Sequence, residues 1–228
     1  PAGRGRAGGD RGVRNPGLVK ATYGTGSSLM TLTDERILSH HGLSSTIAWS
    51  DDNGTAYALE GNITVSAQAA SFAAAMLGLA DARALSDLAQ TVPDSGGVTF
   101  VPALAGLGAP HWNDDATGTI AGMTLASTPA HIARATLEAI TLQIFDVFSA
   151  MEKDIDASLR GLLADGGASA NDFLMQLQAD ILGRPVSRGD QAEVGAMGVA
   201  KMAFGSLGVS PTASEIRETF EPGTLAAE

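Results

Sequence analysis

Leu159–Leu182, L-R-G-L-L-A-D-G-G-A-S-A-N-D-F-L-M-Q-L-Q-A-D-I-L, is the stretch whose reading decides the fold. Leu159, Leu162, Leu163 and Ala164 form a short apolar run of the kind that a buried strand requires. Asp165, Gly166, Gly167, Ala168, Ser169, Ala170 and Asn171 follow as a turn. Phe173, Leu177 and Ile181, with Leu174 beside them, then predict one face of an amphipathic helix. Strand, Gly-Gly turn and helix in this order place backbone N–H groups at a strand's carboxyl end, where open α/β sheets bind phosphates and nucleotides. Taken by itself, the same turn also suits any α/β protein, with Asp165 or Ser169 as an ordinary helix cap.

Working outward, 228 residues suffice for one large α/β domain. The formal charge of −11 argues against non-specific binding to nucleic acid or to an anionic membrane. A phosphate site here must rest on local N–H groups, a metal ion or a partner. The chain has no cysteine, which excludes disulfides and thiolate chemistry, and no apolar run of membrane-spanning length. Pro1–Asn15 lacks the apolar core of a secretory signal, so a cytoplasmic location is the expectation. The Gly- and Arg-rich segment 1–17 reads as a disordered arm or the remnant of an absent upstream domain, and 18–228 as one domain.

Leu18–Tyr23 and Leu29–Leu32 read as strands joined through Gly24-Thr25-Gly26-Ser27-Ser28. Thr46–Ser50 and Thr55–Leu59 form a second pair across Asp51–Gly54. Helices are predicted over Ile63–Leu77, Asp81–Ala89, Pro129–Lys153, Glu193–Phe204 and Ala213–Phe220, and short strands at Val98–Val101, Thr119–Met123 and Pro185-Val186. Thr128 and Pro129 suit the N-cap and first position of the longest helix, whose buried stripe is Ile132, Thr136, Ile140, Ile144, Val147, Phe148 and Met151. Thr25 between two glycines offers a hydroxyl and N–H groups to a terminal phosphate, or serves as a plain hairpin turn. His40, His41, His111 and His131 lack metal-ligand spacing, and Glu60 and Glu138 suit hydrogen-bonded structural carboxylates.

Tyr23-Gly24-Thr25-Gly26-Ser27, the loop Gly106–Trp112 (G-L-G-A-P-H-W) and Asp165–Asn171 (D-G-G-A-S-A-N) resemble, in order and spacing, the FGGY carbohydrate kinases of the glycerol kinase and xylulokinase type. Gly118, Ile120, Gly122, Met123, His131-Ile132, Ala135-Thr136, Leu137 and Glu138 resemble that family's second signature, and the likeness runs from Leu18 to about Gly208. It implies the second, nucleotide-binding domain of an actin/hexokinase-like, ribonuclease H-type α/β fold, a mixed sheet flanked by helices. It also implies transfer of the ATP γ-phosphate to a sugar or polyol hydroxyl with Mg²⁺.

Gly24, Thr25 and Gly26 would approach the β/γ-phosphates; Gly166, Gly167, Ala168 and Asn171 would serve the nucleoside and α-phosphate. Most sugar contacts and the general-base aspartate would belong to an upstream domain. Gly9-Asp10 is similar to the start of the family's aspartate segment, but Asp10 lies too close to Gly24 to be that base. Ser71 and Ser27-Ser28 depart from the Gln near the base and the larger residue near the polyol of glycerol kinases. No catalytic residue and no metal ligand is therefore assigned in this chain, which is expected to be inactive alone. A homodimer is compatible with the likeness. The other class left open is a non-catalytic nucleotide-binding or interaction module of the actin-like superfamily.

Overall fold

Alternation of apolar and polar residues makes Leu18–Tyr23 a strand, β1, with Val19, Ala21 and Tyr23 on its buried face and Lys20 and Thr22 on the other. This computed structural model describes residues 17–51, 54–189 and 216–223. The segment 1–16 and the helix expected over Glu193–Phe204 lie outside the described residues. β2 (Ser27–Thr33) runs antiparallel to β1, with Tyr23 opposite Ser27 across the Gly24–Gly26 turn. β3 (Ser44–Asp51) and β4 (Gly54–Ile63) extend the meander, and β7 (Gly161–Asp165) joins β1 in parallel on its other side. β8 (Val186–Gly189) and β9 (Ile216–Phe220) complete a seven-stranded sheet of order β3-β4-β2-β1-β7-β8-β9. A separate ribbon pairs β5 (Thr99–Val101) with β6 (Thr119–Ala121).

Among the described residues the α-helices are α1 (Gln68–Met76), α2 (Ala82–Ala89), α3 (Pro129–Ile155) and α4 (Asp172–Leu182). They share one core with the sheet face that carries Val19, Ala21, Tyr23, Leu29, Leu162, Ala164 and Val186. The stripe expected on α3 is the observed one. Thr136, Ile140, Ile144, Val147, Phe148 and Met151 are buried, and Ile132 is half-buried. At its start the Thr128 N–H donates to His131 Nδ1 at 3.0 Å, so His131 reaches back as the Glu of a capping box does. Among the described residues no helix is long and apolar enough to cross a membrane.

Three expectations are corrected. Ile63 does not open a helix: its pairing with Ser27 carries β4 on to that residue, and α1 starts only at Gln68. Residues 216–220 are not helical but pair with β8, where Phe220 lies opposite Val186; edge pairing overrides local helix preference. On α4 the buried face is rotated from the predicted one. Leu174, Met175, Leu177, Gln178, Ala179 and Leu182 are buried, while Phe173 and Ile181 are half-buried.

A polar group explains the rotation. The Tyr23 hydroxyl, wholly buried, donates to Gln178 Oε1 at 2.9 Å, and Gln178 Nε2 donates to the Thr141 carbonyl at 3.2 Å. Burial drives the Tyr23 pKa far above its ordinary value, so it remains a neutral donor. Tyr23→Phe leaves the buried Gln178 carbonyl without that donor. Urea unfolding is expected to show a loss of about 1–3 kcal/mol, and an unchanged midpoint would contradict this role.

Candidate functional site

β1 and β7 end level because their parallel register sets Thr22 beside Asp165. The turn Gly24–Gly26 and the turn that begins at Gly166 therefore leave neighbouring strands at the same end of the sheet. Gly166 has φ +87°, and a Cβ there would lie 2.5 Å from the Tyr23 carbonyl oxygen and 2.9 Å from its carbonyl carbon. Only glycine allows that approach, and it locks the second turn against the end of β1.

The first turn is polarised. Gly24 N–H donates to the Gly26 carbonyl at 3.0 Å. The Thr25 carbonyl accepts from the N–H groups of Ser66 (2.9 Å) and Gln68 (3.3 Å), and the Gly24 carbonyl from that of Ala67 (3.2 Å). These bonds satisfy the N–H groups of Ser66, of the N-cap Ala67 and of Gln68, the first residue of α1, which has no side-chain cap. The N–H groups of Thr25 and Gly26 take no part in them, and Thr25 is exposed. Gly26 packs so closely that a Cβ would sit 2.4 Å from the Ile63 carbonyl oxygen. Ser27 Oγ donates to Ser66 Oγ at 2.7 Å, a second tie to the segment that leads into α1. The Gly24 and Thr25 carbonyls are thus taken up by the segment that leads into α1, while the N–H groups of Thr25 and Gly26 stay outside these bonds.

In the second turn Gly167–Ala170 forms a single 3-10 turn. The Ser169 hydroxyl donates to the Gly166 carbonyl at 2.7 Å. Gly167 is exposed, and a Cβ on it would meet nothing within 4 Å. Asn171, rather than Asp165 or Ser169, caps the helix: its Oδ1 accepts from the Leu174 N–H at 3.0 Å. Its Nδ2 donates to Ser86 Oγ at 2.9 Å, tying the turn to α2. Asn171 is thus strongly engaged within the fold and Ala168 is half-buried against the core, while Gly167 presents the open edge.

Two charged groups stand behind these turns. Asp165 is buried, and its Oδ2 pairs at 3.0 Å with Lys20 Nζ, which also donates to Thr22 Oγ1 at 2.8 Å. Lys20 offsets the charge of this carboxylate through Oδ2, while Oδ1 is buried without a hydrogen-bond partner among the described residues. Arg188 on β8 is buried and reaches the second turn; burial opposes its charge, but hydrogen bonds to Asp172 and Glu218 outweigh this and raise its pKa. The sequence reading missed both Arg188 and Ser86. A charged residue within a short strand beside Pro185 was the only available signal.

The other polar candidates have structural partners. His41 Nδ1 pairs with Asp154 at 2.7 Å, His111 Nε2 with Asp146 at 3.0 Å, Glu138 with Arg134 at 2.7 Å, and Glu60 accepts from Ser28 Oγ at 3.3 Å. The Trp112 indole N–H donates to the Gly42 carbonyl at 2.6 Å. A concavity of about 680 Å³ lined by His40, His41, His111, Phe145 and Lys153 includes no residue of the two glycine turns. Among the described residues no group of three His, Asp or Glu is placed to hold a metal ion.

The family model for the FGGY family of carbohydrate kinases, C-terminal domain, matches residues 19–207. An apulose kinase of Pectobacterium atrosepticum is 50% identical over 198 residues, 87% of this chain and 40% of that protein. A glycerol kinase of Alkalilimnicola ehrlichii is 45% identical over 217 residues, 93% of this chain and 44% of that protein. Plasmodium falciparum glycerol kinase with ADP superposes with a TM-score of 0.84 at 30% identity, over 92% of this chain and 44% of that one. A xylulose kinase from Lactobacillus acidophilus, at 24% identity and TM-score 0.82, shares the fold over 90% of this chain and 43% of that one. The chain spans less than half the length of the curated relatives it matches.

The two glycines of the second turn should respond differently to substitution. Gly166→Ala is expected to cost about 1–3 kcal/mol of stability, because φ is positive and backbone blocks the new methyl. Gly167→Ala should remain within about 0.5 kcal/mol of the parent. Thermal or urea unfolding of both variants distinguishes these outcomes.

Proposed function

This chain belongs to the FGGY family of carbohydrate kinases, and from that membership we propose that it is the nucleotide-binding portion of an ATP-dependent sugar or polyol kinase. The observation that carries the reading is the pair of glycine turns at the level carboxyl ends of β1 and β7. In one, the N–H groups of Thr25 and Gly26 take no part in the turn's own hydrogen bonds, and in the other Gly167 is unobstructed. An anion can be bound by such backbone donors even in a chain of net charge −11.

In this reading Gly24, Thr25 and Gly26 receive the terminal phosphates, and Gly167 and Ala168 receive the nucleoside end, with Gly166 and Asn171 holding the second turn in shape. Phosphoryl transfer asks little covalent chemistry of a protein; positioning and electrostatic stabilisation supply most of the acceleration. Here the N–H groups of the first turn would take up charge that spreads over the γ-phosphoryl oxygens. The described residues offer no carboxylate cluster for a resident cation. Mg²⁺ would accompany the nucleotide phosphates, offsetting their charge when bound. The acceptor hydroxyl and its general-base aspartate would come from the remainder of a longer protein, because the chain covers less than half of its relatives' length.

Calorimetry with ADP tests the proposal, and weak but measurable binding is expected, since one side of a cleft supplies only part of the contacts. Thr25→Val should weaken ATP and ADP binding by about 1 kcal/mol while sparing adenosine. Absence of any ADP binding, with no amide shift at Gly167, would overturn the reading.

Turnover is a separate expectation. With no acceptor held in line, coupled ADP-release assays over glycerol, xylulose, ribulose and gluconate should find no sugar-dependent rate from this chain. Loss of positioning alone forfeits on the order of 7–11 kcal/mol of barrier lowering. Sugar-dependent ADP release by the chain would show that it carries its own acceptor site.

A further inference from the structure

Arg188 is a buried cation in the fourth strand of the row β2-β1-β7-β8, and neither its strand nor its sequence neighbours belong to the glycine turns. Its Nη1 donates to the Ser169 carbonyl at 2.8 Å, inside the turn between β7 and α4. Its Nη2 donates to Asp172 Oδ1 at 2.6 Å, on the first residue of α4, and to Glu218 Oε2 at 2.5 Å, on β9. The guanidinium carbon lies 5.1 Å from the Phe220 ring centroid, so the last strand covers it with both a carboxylate and an aromatic face.

Burying an arginine is costly unless its donors find partners, and these partners are unevenly placed. Glu218 and Phe220 provide charge compensation and packing. Ser169 and Asp172 belong to the second turn and to the helix start that it feeds. The Ser169 carbonyl is drawn inward by Arg188, while Gly167, two residues earlier, is exposed. Asn171 braces the same turn through a separate bond, to Ser86 of α2.

We infer that Arg188 is a positioning residue for the nucleoside end of the site: it fixes the Ser169 carbonyl and Asp172 from behind and so holds Gly167–Ala170 in the shape that meets the ligand. It acts through the turn and touches no ligand itself. The inference rests on the nucleotide-binding reading above. It adds that β9, which closes over Arg188 through Glu218 and Phe220, belongs to the machinery that shapes the turn.

The test uses the 228-residue chain with ADP as the probe, by calorimetry and by backbone amide spectra. In Arg188→Met, amide shifts in the absence of nucleotide should concentrate at Gly167–Ala170 and the start of α4, leaving Thr25 and Gly26 in place. If the turn then keeps its binding shape about a tenth of the time, ADP affinity falls about tenfold. Arg188→Lys keeps the charge but not the planar fork and should fall in between. Should Arg188→Met fail to fold, Arg188→Lys decides by the same two readouts.

Unchanged ADP affinity in a folded variant overturns the role of Arg188 and leaves the nucleotide reading intact. An affinity loss accompanied by shifts spread over the Gly24–Gly26 turn also overturns it, as general disruption. A parent chain that binds no ADP instead overturns the nucleotide reading itself.

Discussion

The contact of Gly166 with the Tyr23 carbonyl is the constraint on which the rest of the site depends. Two parallel strands side by side fix the height at which their turns begin, but not how closely the turns approach. Here a residue without a side chain, at positive φ, brings the backbone after β7 against the backbone that ends β1. Any Cβ at that point would push the turns apart. The two edges offered to a ligand are therefore set by backbone packing, which is stiffer than side-chain packing and has no rotamers to lose.

That contact is held from within by polar groups rather than by apolar fit alone. Tyr23, Gln178 and Thr141 link β1, α4 and α3 through two buried hydrogen bonds, so the strand that carries the first turn and the helix that follows the second are tied together. Each turn is braced again from a helix: the first by the N–H groups that open α1, the second by Ser86 of α2. The charges near the turns are compensated locally. Lys20 faces Asp165, and Arg188 faces Asp172 and Glu218. In the proposed reading the neutral N–H groups of the first turn then serve the anion, and dipoles fixed in advance need no reorganisation when it arrives.

Patterns that depend on local spacing alone were legible. The α3 stripe follows a 3.6-residue period over about five turns, and its N-cap and first proline sit where capping chemistry puts them. The strand-turn-helix order of Leu159–Leu182 and the hairpin around Thr25 were legible for the same reason. Patterns that a distant strand completes were not. Ile63 and the segment 216–220 take strand form only because Ser27 and β8 stand beside them, and no window of ten residues contains that information.

The sequence by itself determined most of the elements and their order, the glycines where backbone must approach backbone, and an acidic charge balance. These follow from steric and solvation preferences that each residue carries wherever it is placed. Only the tertiary structure decided which polar residues go inside. Gln178 sits at the centre of the buried face of α4 because a tyrosine 155 positions away needs an acceptor. Arg188 is buried because a turn carbonyl and two carboxylates, one of them on the last strand, converge on it. A buried hydrogen bond is worth its desolvation only when both partners are present, and partners that far apart in the chain meet only in the folded state.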